Sequence, residues 1–423
     1  MSILILHRNP FEPFPYDEWL ADYDGDVVVL AARDKIELFA EQVPTGNLGY
    51  TRLEVLDRFD DELVVKRALD LATEFETTRI IAHHEADVDS AAWLREHLGL
   101  TGAWTADVLP FRDKALMKQL VTAAGIEVAA HVVPRTIEEA RAFAAEYGFP
   151  LVFKDRAGYN AVGLRILRTD DALDDCLRQA YDNGPREDVL LEAFVPGRMC
   201  HVDGLVVGGR PVLSWPSQYQ YDLASFGSDP GARVDLTLDP DDPLTDRLLA
   251  MTDRILTALK PADTRLVDHG FHAEIFHTPD DRLVLCEIAS RPAGAKVREV
   301  FDTMFGINLG EYVTRVQAGL PLPALAATLA GGARPLPRRM SGQMLTMKRP
   351  GLVRSVPSTP AEPWVERFWV YAKQGDVISP ASGSSDFLTA VVGSAPTRAE
   401  CHRRLRELGE RFVAQIDIVE ASS

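Results

Sequence analysis

Cysteine is scarce in this chain of 423 residues: Cys176, Cys200, Cys286 and Cys401 are the four, with no CxxC spacing. That excludes a disulfide framework and a cysteine-rich zinc site, and it fits a reducing cytoplasm. Long apolar runs are missing as well, so no stretch reads as a membrane span. Positive charge is in deficit, with 45 Lys and Arg against 63 Asp and Glu and a net charge of −18. Nucleic acid and anionic membranes call for a basic face, so neither is an expected partner. A site for a phosphate-bearing ligand must then be locally basic against a repulsive background. GxGxxG after the first strand, GxxxxGK[ST] and GxSxG are all absent. A dinucleotide fingerprint, a P-loop and a serine-hydrolase elbow go with them. The N-terminal MSILILHRNPFEP has no basic start and no small-residue cleavage site, and reads as a buried first strand.

The composition is that of a globular protein, with 46% hydrophobic and 26% charged residues. The length predicts about two to three domains. Residues 1–107 alternate β-rich runs (Ile3–Leu6, Val27–Leu30, Arg79–Ala82) with amphipathic helices over Asp61–Phe75 and Ala91–Leu98, an open α/β unit. Further on, Asp113–Ala124 reads as a helix stopped by Gly125, and Thr136–Tyr147 as another. Leu151–Lys154 is a strand, Asp155–Gly163 a glycine-bearing loop, and Val189–Val195 a strand. Ser214–Gly231 reads as a long aromatic and polar loop. Pro321–Pro337 looks like a linker, and the remainder like a small α+β unit ending in a helix at Arg398–Gln415.

The chemistry concentrates in two apolar runs, Phe271–Phe276 and Leu283–Ile288, joined by a polar turn. The pattern predicts a hairpin, with Glu274 and Glu287 brought to one place on neighbouring strands. Two facing carboxylates repel unless a cation lies between them, and hard oxygen ligands suit Mg²⁺. Arg291 follows four residues later, in Glu-Ile-Ala-Ser-Arg-Pro-Ala-Gly ending at Gly294. A zinc reading of His269, His272 and Glu274 fails on alternation, because His269 falls on the other face from His272.

The order and spacing of these motifs resemble the ATP-grasp superfamily of carboxylate–amine ligases, nearest in pattern to the L-amino-acid (dipeptide) ligases. The resemblance covers about residues 1–330. It implies an α/β and α+β multi-domain chain: a pre-ATP-grasp domain at 1–107, an ATP-grasp fold of two α+β subdomains at 108–330 (108–194 as lid, 195–330 as catalytic part) and a C-terminal α+β domain at 331–423. It implies ATP and Mg²⁺, two ions, as cofactors. Glu274 and Glu287 match the metal carboxylates. Lys114 and Lys154 match the phosphate-binding lysines, and Gly158 and Gly163 the glycines of the phosphate-covering loop. Glu192, Ala193 and Val195 match the adenine-binding strand, and Asp203 is the nearest acid for the ribose. Arg291 and Gly294, with Lys154, match the catalytic end. The sequence departs from the family at Asp155, where a proline is usual, and at Ala289, where many members have asparagine. Tyr219, Tyr221 and His201 are candidate pocket residues.

The implied activity is activation of a carboxylate as an acyl phosphate, then attack by an amine to give an amide. Small carboxylate and amine substrates, amino acids among them, are the implied partners, and a homodimer is admitted. Two other readings stand beside it. One is carboxylation in the manner of biotin carboxylase, although Met347-Lys348 lacks the flanks of a biotin-attachment sequence. The other is a nucleotide binder without catalysis.

Overall fold

A computed structural model describes residues 2–38, 41–45, 49–182, 184, 186–222, 229–261, 263–381, 383–384 and 386–419. The first sheet holds β1 (Ser2–His7), β2 (Asp26–Ala32), β3 (Arg52–Leu56) and β4 (Thr77–Ala82), all parallel in the order β3-β2-β1-β4. β1 is buried along its whole length, as a strand covered on both faces must be. β3 carries no such apolar run: Arg-Leu-Glu-Val-Leu is partly exposed at the sheet edge.

The second sheet is smaller, with β5 (His131–Val132), β6 (Leu151–Asp155), β7 (Arg165–Leu167) and β8 (Val189–Ala193) in the order β5-β8-β6-β7. The helices Ile137–Tyr147 and Asp170–Ala180 pack on it through Ala140, Phe143, Leu173 and Leu177. Each starts at a threonine, Thr136 or Thr169, whose hydroxyl accepts from a first-turn amide.

A third sheet of eight strands organises the rest. Its first members are β9 (Arg198–Val207), β10 (Arg210–Tyr219), β11 (Arg233–Thr237), β12 (His269–His277) and β13 (Leu283–Ala289). From the C-terminal part come β14 (Met340–Met347), β15 (Gly351–Ser355), β16 (Val365–Val370), β17 (Val377–Ile378), β18 (Phe387–Ala395) and β19 (Asp417–Val419). The order is β13-β12-β9-β10-β11-β14-β18-β16, while β17-β15-β19 form a small separate sheet. Because β11 pairs with β14, the large sheet runs without a break across residue 331. The C-terminal strands extend an existing sheet, and the helix Arg398–Gln415 covers it through Leu405, Leu408 and Phe412.

Two expectations need correction. The stretch expected as a loop from Ser214 is strand as far as Tyr219, paired on both edges, because β9 and β11 supply its hydrogen-bond partners; residues 223–228 of that stretch lie outside the described residues. The stretch expected as linker contains a short helix, Ala326–Leu329, next to Leu325, which packs into the core beside Met304 and Tyr312. No helix among the described residues is long and apolar enough to cross a membrane. The four cysteines are free.

Candidate active site

Alternation along the strands decides which side chains meet. In β9 and β12, Cys200, Val202, Val206, Phe271, Ala273 and Ile275 face one core, with the helices Lys114–Ala123 and Pro243–Ala258 against it. Successive strand residues point to opposite faces, so His201, Asp203, His272 and Glu274 share the other face. In β13 the register shifts beside Glu274, which pairs with Glu287, while Ile275 pairs with Leu285. Cys286 is the extra residue. The bulge lets Leu285 and Ile288 both enter the core, and it turns Glu287 toward the same cavity as Glu274. The buried Lys118 donates to the Cys286 carbonyl at 3.2 Å and holds the bulge in place.

The cavity has a volume of about 1300 Å³ and lies between the three sheets. Lys114, Lys118, Lys154, Glu192, Glu274, Glu287 and Arg291 line it. Lys154 Nζ lies 2.9 Å from one Glu192 oxygen and Lys118 Nζ 3.0 Å from the other. Burial works against the Glu192 carboxylate, but Lys118 and Lys154 overcome it and hold its pKa at about 2. Burial likewise opposes the Lys154 ammonium, yet Glu192 and the neighbouring acids raise its pKa. Lys114 Nζ reaches Glu287 at 3.4 Å and donates to the Gly158 carbonyl at 2.5 Å, tying the loop to the metal-type carboxylates.

That loop turns back through left-handed residues, with φ of 57° at Asn160, 55° at Ala161 and 74° at Gly163. Gly163 is the position where the backbone needs glycine. It lies behind the cavity wall, whereas Gly158, Asn160 and Ala161 line it. Ala193 and Val195 line it too, beside Glu192. Gly294 faces open space in the cavity, with nothing within 4 Å of the place a Cβ would take. Arg291 is gripped by Glu85, Nε to carboxylate at 2.5 Å, and Arg112 binds the other Glu85 oxygen at 2.5 Å. Despite burial, the two guanidiniums hold Glu85 at a pKa of about 2.

Asp203 is placed differently from the ribose role expected of it. It is fully buried, absent from the cavity lining, and its oxygens are taken by His201 at 2.5 Å and His272 at 2.9 Å. Its strand position points it into a chain of groups that runs from the buried Asp235, His201 and Asp203 to His272 and Glu274, which are partly exposed at the cavity. Burial would keep both rings neutral, but the aspartates outweigh it. His272 rises to about 9 and His201 rises well above its ordinary value. His201, Asp203 and His272 are close enough to hold a metal ion, but their ring nitrogens and oxygens already pair with one another or with Asp235 and Glu274. His269 sits on the opposite face, bonded to the Gly270 carbonyl, so it joins neither this chain nor the zinc set considered from the sequence. Tyr219 stacks on His201 with ring centroids 4.6 Å apart, and it and Tyr221 line the cavity; His201 itself is sealed behind them.

Sequence reasoning missed Lys118 and Glu85. Lys118 is four residues after Lys114, on the same helix face, a spacing that was legible. Glu85 comes from the turn after β4 and carries no local signal. The residues present fit a Mg²⁺–nucleotide pair. Glu274 and Glu287 are register partners, hard oxygen donors suit Mg²⁺, and Lys114, Lys118 and Lys154 line the same cavity for phosphate charge.

Residues 113–208 match the family described as carbamoyl-phosphate synthase L chain, ATP binding domain. The chain is 23% identical over 237 residues to an L-arginine-specific L-amino acid ligase of Bacillus subtilis, covering 55% of each. It is 26% identical over 231 residues to a D-alanine–D-alanine ligase of Mycolicibacterium vanbaalenii, covering 51% of this chain and 58% of that one. The chain spans about half the length of these curated relatives. Among solved structures, an L-amino acid ligase from Bacillus licheniformis superposes with a TM-score of 0.74 at 18% identity, over 100% of this chain and 99% of that one. The biotin carboxylase domain of the Hydrogenobacter thermophilus 2-oxoglutarate carboxylase gives 0.70 at 16%, over 99% and 91%. Residues 113–208 therefore resemble an ATP-binding domain, and the full length shares its fold with these solved structures.

Proposed function

We propose that this protein is an ATP-dependent carboxylate–amine ligase that joins amino acids into a dipeptide or a related amide and releases ADP and phosphate. The observation that carries the reading is the Glu274–Glu287 pair, set in a cavity with Lys114, Lys118, Lys154 and Arg291. The physical obstacle to the reaction is charge, since a carboxylate must approach a triphosphate. Fixed cations in a site shielded from water lower that barrier.

In this reading Lys114 and Lys154 hold phosphate oxygens. Glu192 with the backbone of Ala193 and Val195 holds the adenine. Arg291, fixed by Glu85, orients the substrate carboxylate or the acyl phosphate, with Gly294 leaving room beside it. Glu274 and Glu287 would hold the metal, as two ions, and Mg²⁺ there would withdraw charge from the transferring phosphoryl group. The Asp155–Gly163 loop excludes water, which would hydrolyse the acyl phosphate. The atoms balance: the γ-phosphoryl passes to the carboxylate oxygen, the amine displaces phosphate, and the amine proton leaves to solvent or base. The domains divide at 1–107, 108–330 and 331–423, with the C-terminal part sharing the large sheet. A reducing cytoplasm suits the free cysteines.

Phosphate release from Mg-ATP across a grid of amino acids, singly and in pairs, tests the reading, with products weighed by mass spectrometry. A new mass equal to two substrates less water supports it. ATP turnover that needs bicarbonate and no amino acid would replace it with the carboxylase reading, which the fold match to the 2-oxoglutarate carboxylase domain favours. Bound nucleotide without turnover would leave a nucleotide binder.

A further inference from the structure

Beyond Arg291 and Gly294 the cavity continues to a second group of cations. Lys296 is 2% exposed and caps the helix Val297–Phe305. Its ammonium lies 3.7 Å from the Trp369 ring centroid, 5.6 Å from that of Tyr371 and 6.0 Å from that of Phe387. The nearest carboxylate is Glu299 at 3.9 Å, beyond hydrogen-bond reach. Arg298 stands two residues on, its guanidinium carbon 4.2 Å from the centroid of Phe14. Its Nε is buried with no hydrogen-bond partner, and Arg298 has no ion pair among the described residues. His83 shares this wall. Its Nε2 meets Thr314 at 2.8 Å, while its buried Nδ1 has no partner. Lys296, Arg298 and His83 all line the cavity.

Such a wall is costly as it stands. A buried cation without a hydrogen-bonded anion loses its hydration and gains little in return. The aromatic faces offset part of this. Burial pulls Lys296 down to a pKa of about 8, the mark of an ammonium short of compensation. Arg291 is different, because Glu85 already neutralises it. The unspent positive charge therefore sits at Lys296 and Arg298. The Arg298 guanidinium lies over the Phe14 ring with its Nε unpaired, and a guanidinium fork matches a planar acceptor such as a carboxylate. Phe14, Tyr371 and Phe387 offer apolar surface for a short methylene stem.

We propose that Lys296 and Arg298 form a subsite for the side-chain carboxylate of an acidic amino acid, and that they make the enzyme select acidic over neutral substrates. This rests on the ligase reading and names its substrate class. Glutamate and glutamine are the discriminating pair, since they share a shape and differ in charge. Their binding to the full chain with Mg-ADP present is measured by calorimetry, which needs no turnover. The expected result is a Kd for glutamate at least about tenfold below that for glutamine, with aspartate also ahead of asparagine. Lys296→Met and Arg298→Met should each shrink the preference, and the double variant should abolish it with ADP affinity unchanged. Lys296→Arg keeps the charge and should keep the preference, which separates charge from packing. Equal binding of glutamate and glutamine to the native protein, or a preference that survives in the double variant, overturns the subsite. Charge-selective binding with no amide formed from any pair would instead overturn the ligase reading and leave the subsite standing.

Discussion

Lys154 is bound to Glu192 at 2.9 Å, so the lysine expected to meet phosphate is already paired with the acid expected to meet adenine. The two side chains come from neighbouring strands, β6 and β8, with Val152 opposite Glu192 and Lys154 opposite Leu190. Nucleotide binding has to share or break this pair, and Lys118 stands ready to keep Glu192 compensated.

Lys154→Ala is therefore expected to weaken ATP binding by about tenfold or more, or about 1.4 kcal/mol. The fold should survive, because Lys118 still compensates Glu192. Lys118→Ala together with Lys154→Ala leaves a buried carboxylate alone and should cost about 3–5 kcal/mol of stability. Calorimetric titration with ATP and urea unfolding of the single and double variants check both statements.

Removing Glu287 separates metal chemistry from folding. Glu287 is partly exposed at the cavity wall, and Lys114 lies 3.4 Å from it. Glu287→Ala should abolish Mg²⁺-dependent turnover while moving the midpoint of thermal unfolding by only about 2–4 °C. Wild-type turnover in this variant would remove Glu287 from the metal site.

Glu85 carries a pH signature. Its folded pKa of about 2 lies below its ordinary value of 4.5 because Arg291 and Arg112 hold the charged form against burial. A depressed carboxylate contributes stability that is present above pH 4.5 and is lost as pH falls toward 2. The contribution is about 3 kcal/mol at neutral pH. Glu85→Gln should remove that part of the acid sensitivity in urea unfolding at pH 7, 4 and 3. It should also lower kcat, because Arg291 loses its anchor.

Lys296 gives a slope of the same sign in an alkaline window, although here burial rather than ion pairing sets it. Its folded pKa of about 8 lies below the ordinary 10.5, since burial disfavours the ammonium. Between those values the unfolded chain binds more protons, so stability rises with pH. The gain across the window is about 3 kcal/mol. Lys296→Met should remove that upward slope between pH 8 and 10.5, read as the difference between the two proteins' unfolding curves.

Arg291→Ala is expected to damage amide formation more than nucleotide affinity, because Arg291 lies four residues beyond Glu287 and away from the Glu192 strand. Turnover and ATP affinity measured on one preparation separate these effects. The variant also frees Glu85, with Arg112 as its remaining partner.

Much of the site was legible in the chain because it depends on local pattern. The hairpin pattern put Glu274 and Glu287 on neighbouring strands, with the bulge at Cys286 setting them opposite each other, and the end of an apolar strand marked Lys154. The final helix, Arg398–Gln415, was legible to the residue. Such features rest on neighbours a few residues apart, where backbone geometry dictates where side chains point. Tertiary contacts decided the rest. Asp203 left the ribose role because His201 and His272, on two strands, close over it. Arg291 took Glu85 as its partner across 206 positions of sequence. Lys296 and Arg298 became a cationic wall only when Phe14 and Trp369 arrived from opposite ends of the chain. Burial and charge balance are set by everything that packs around a group, and that sum exists only in the folded molecule.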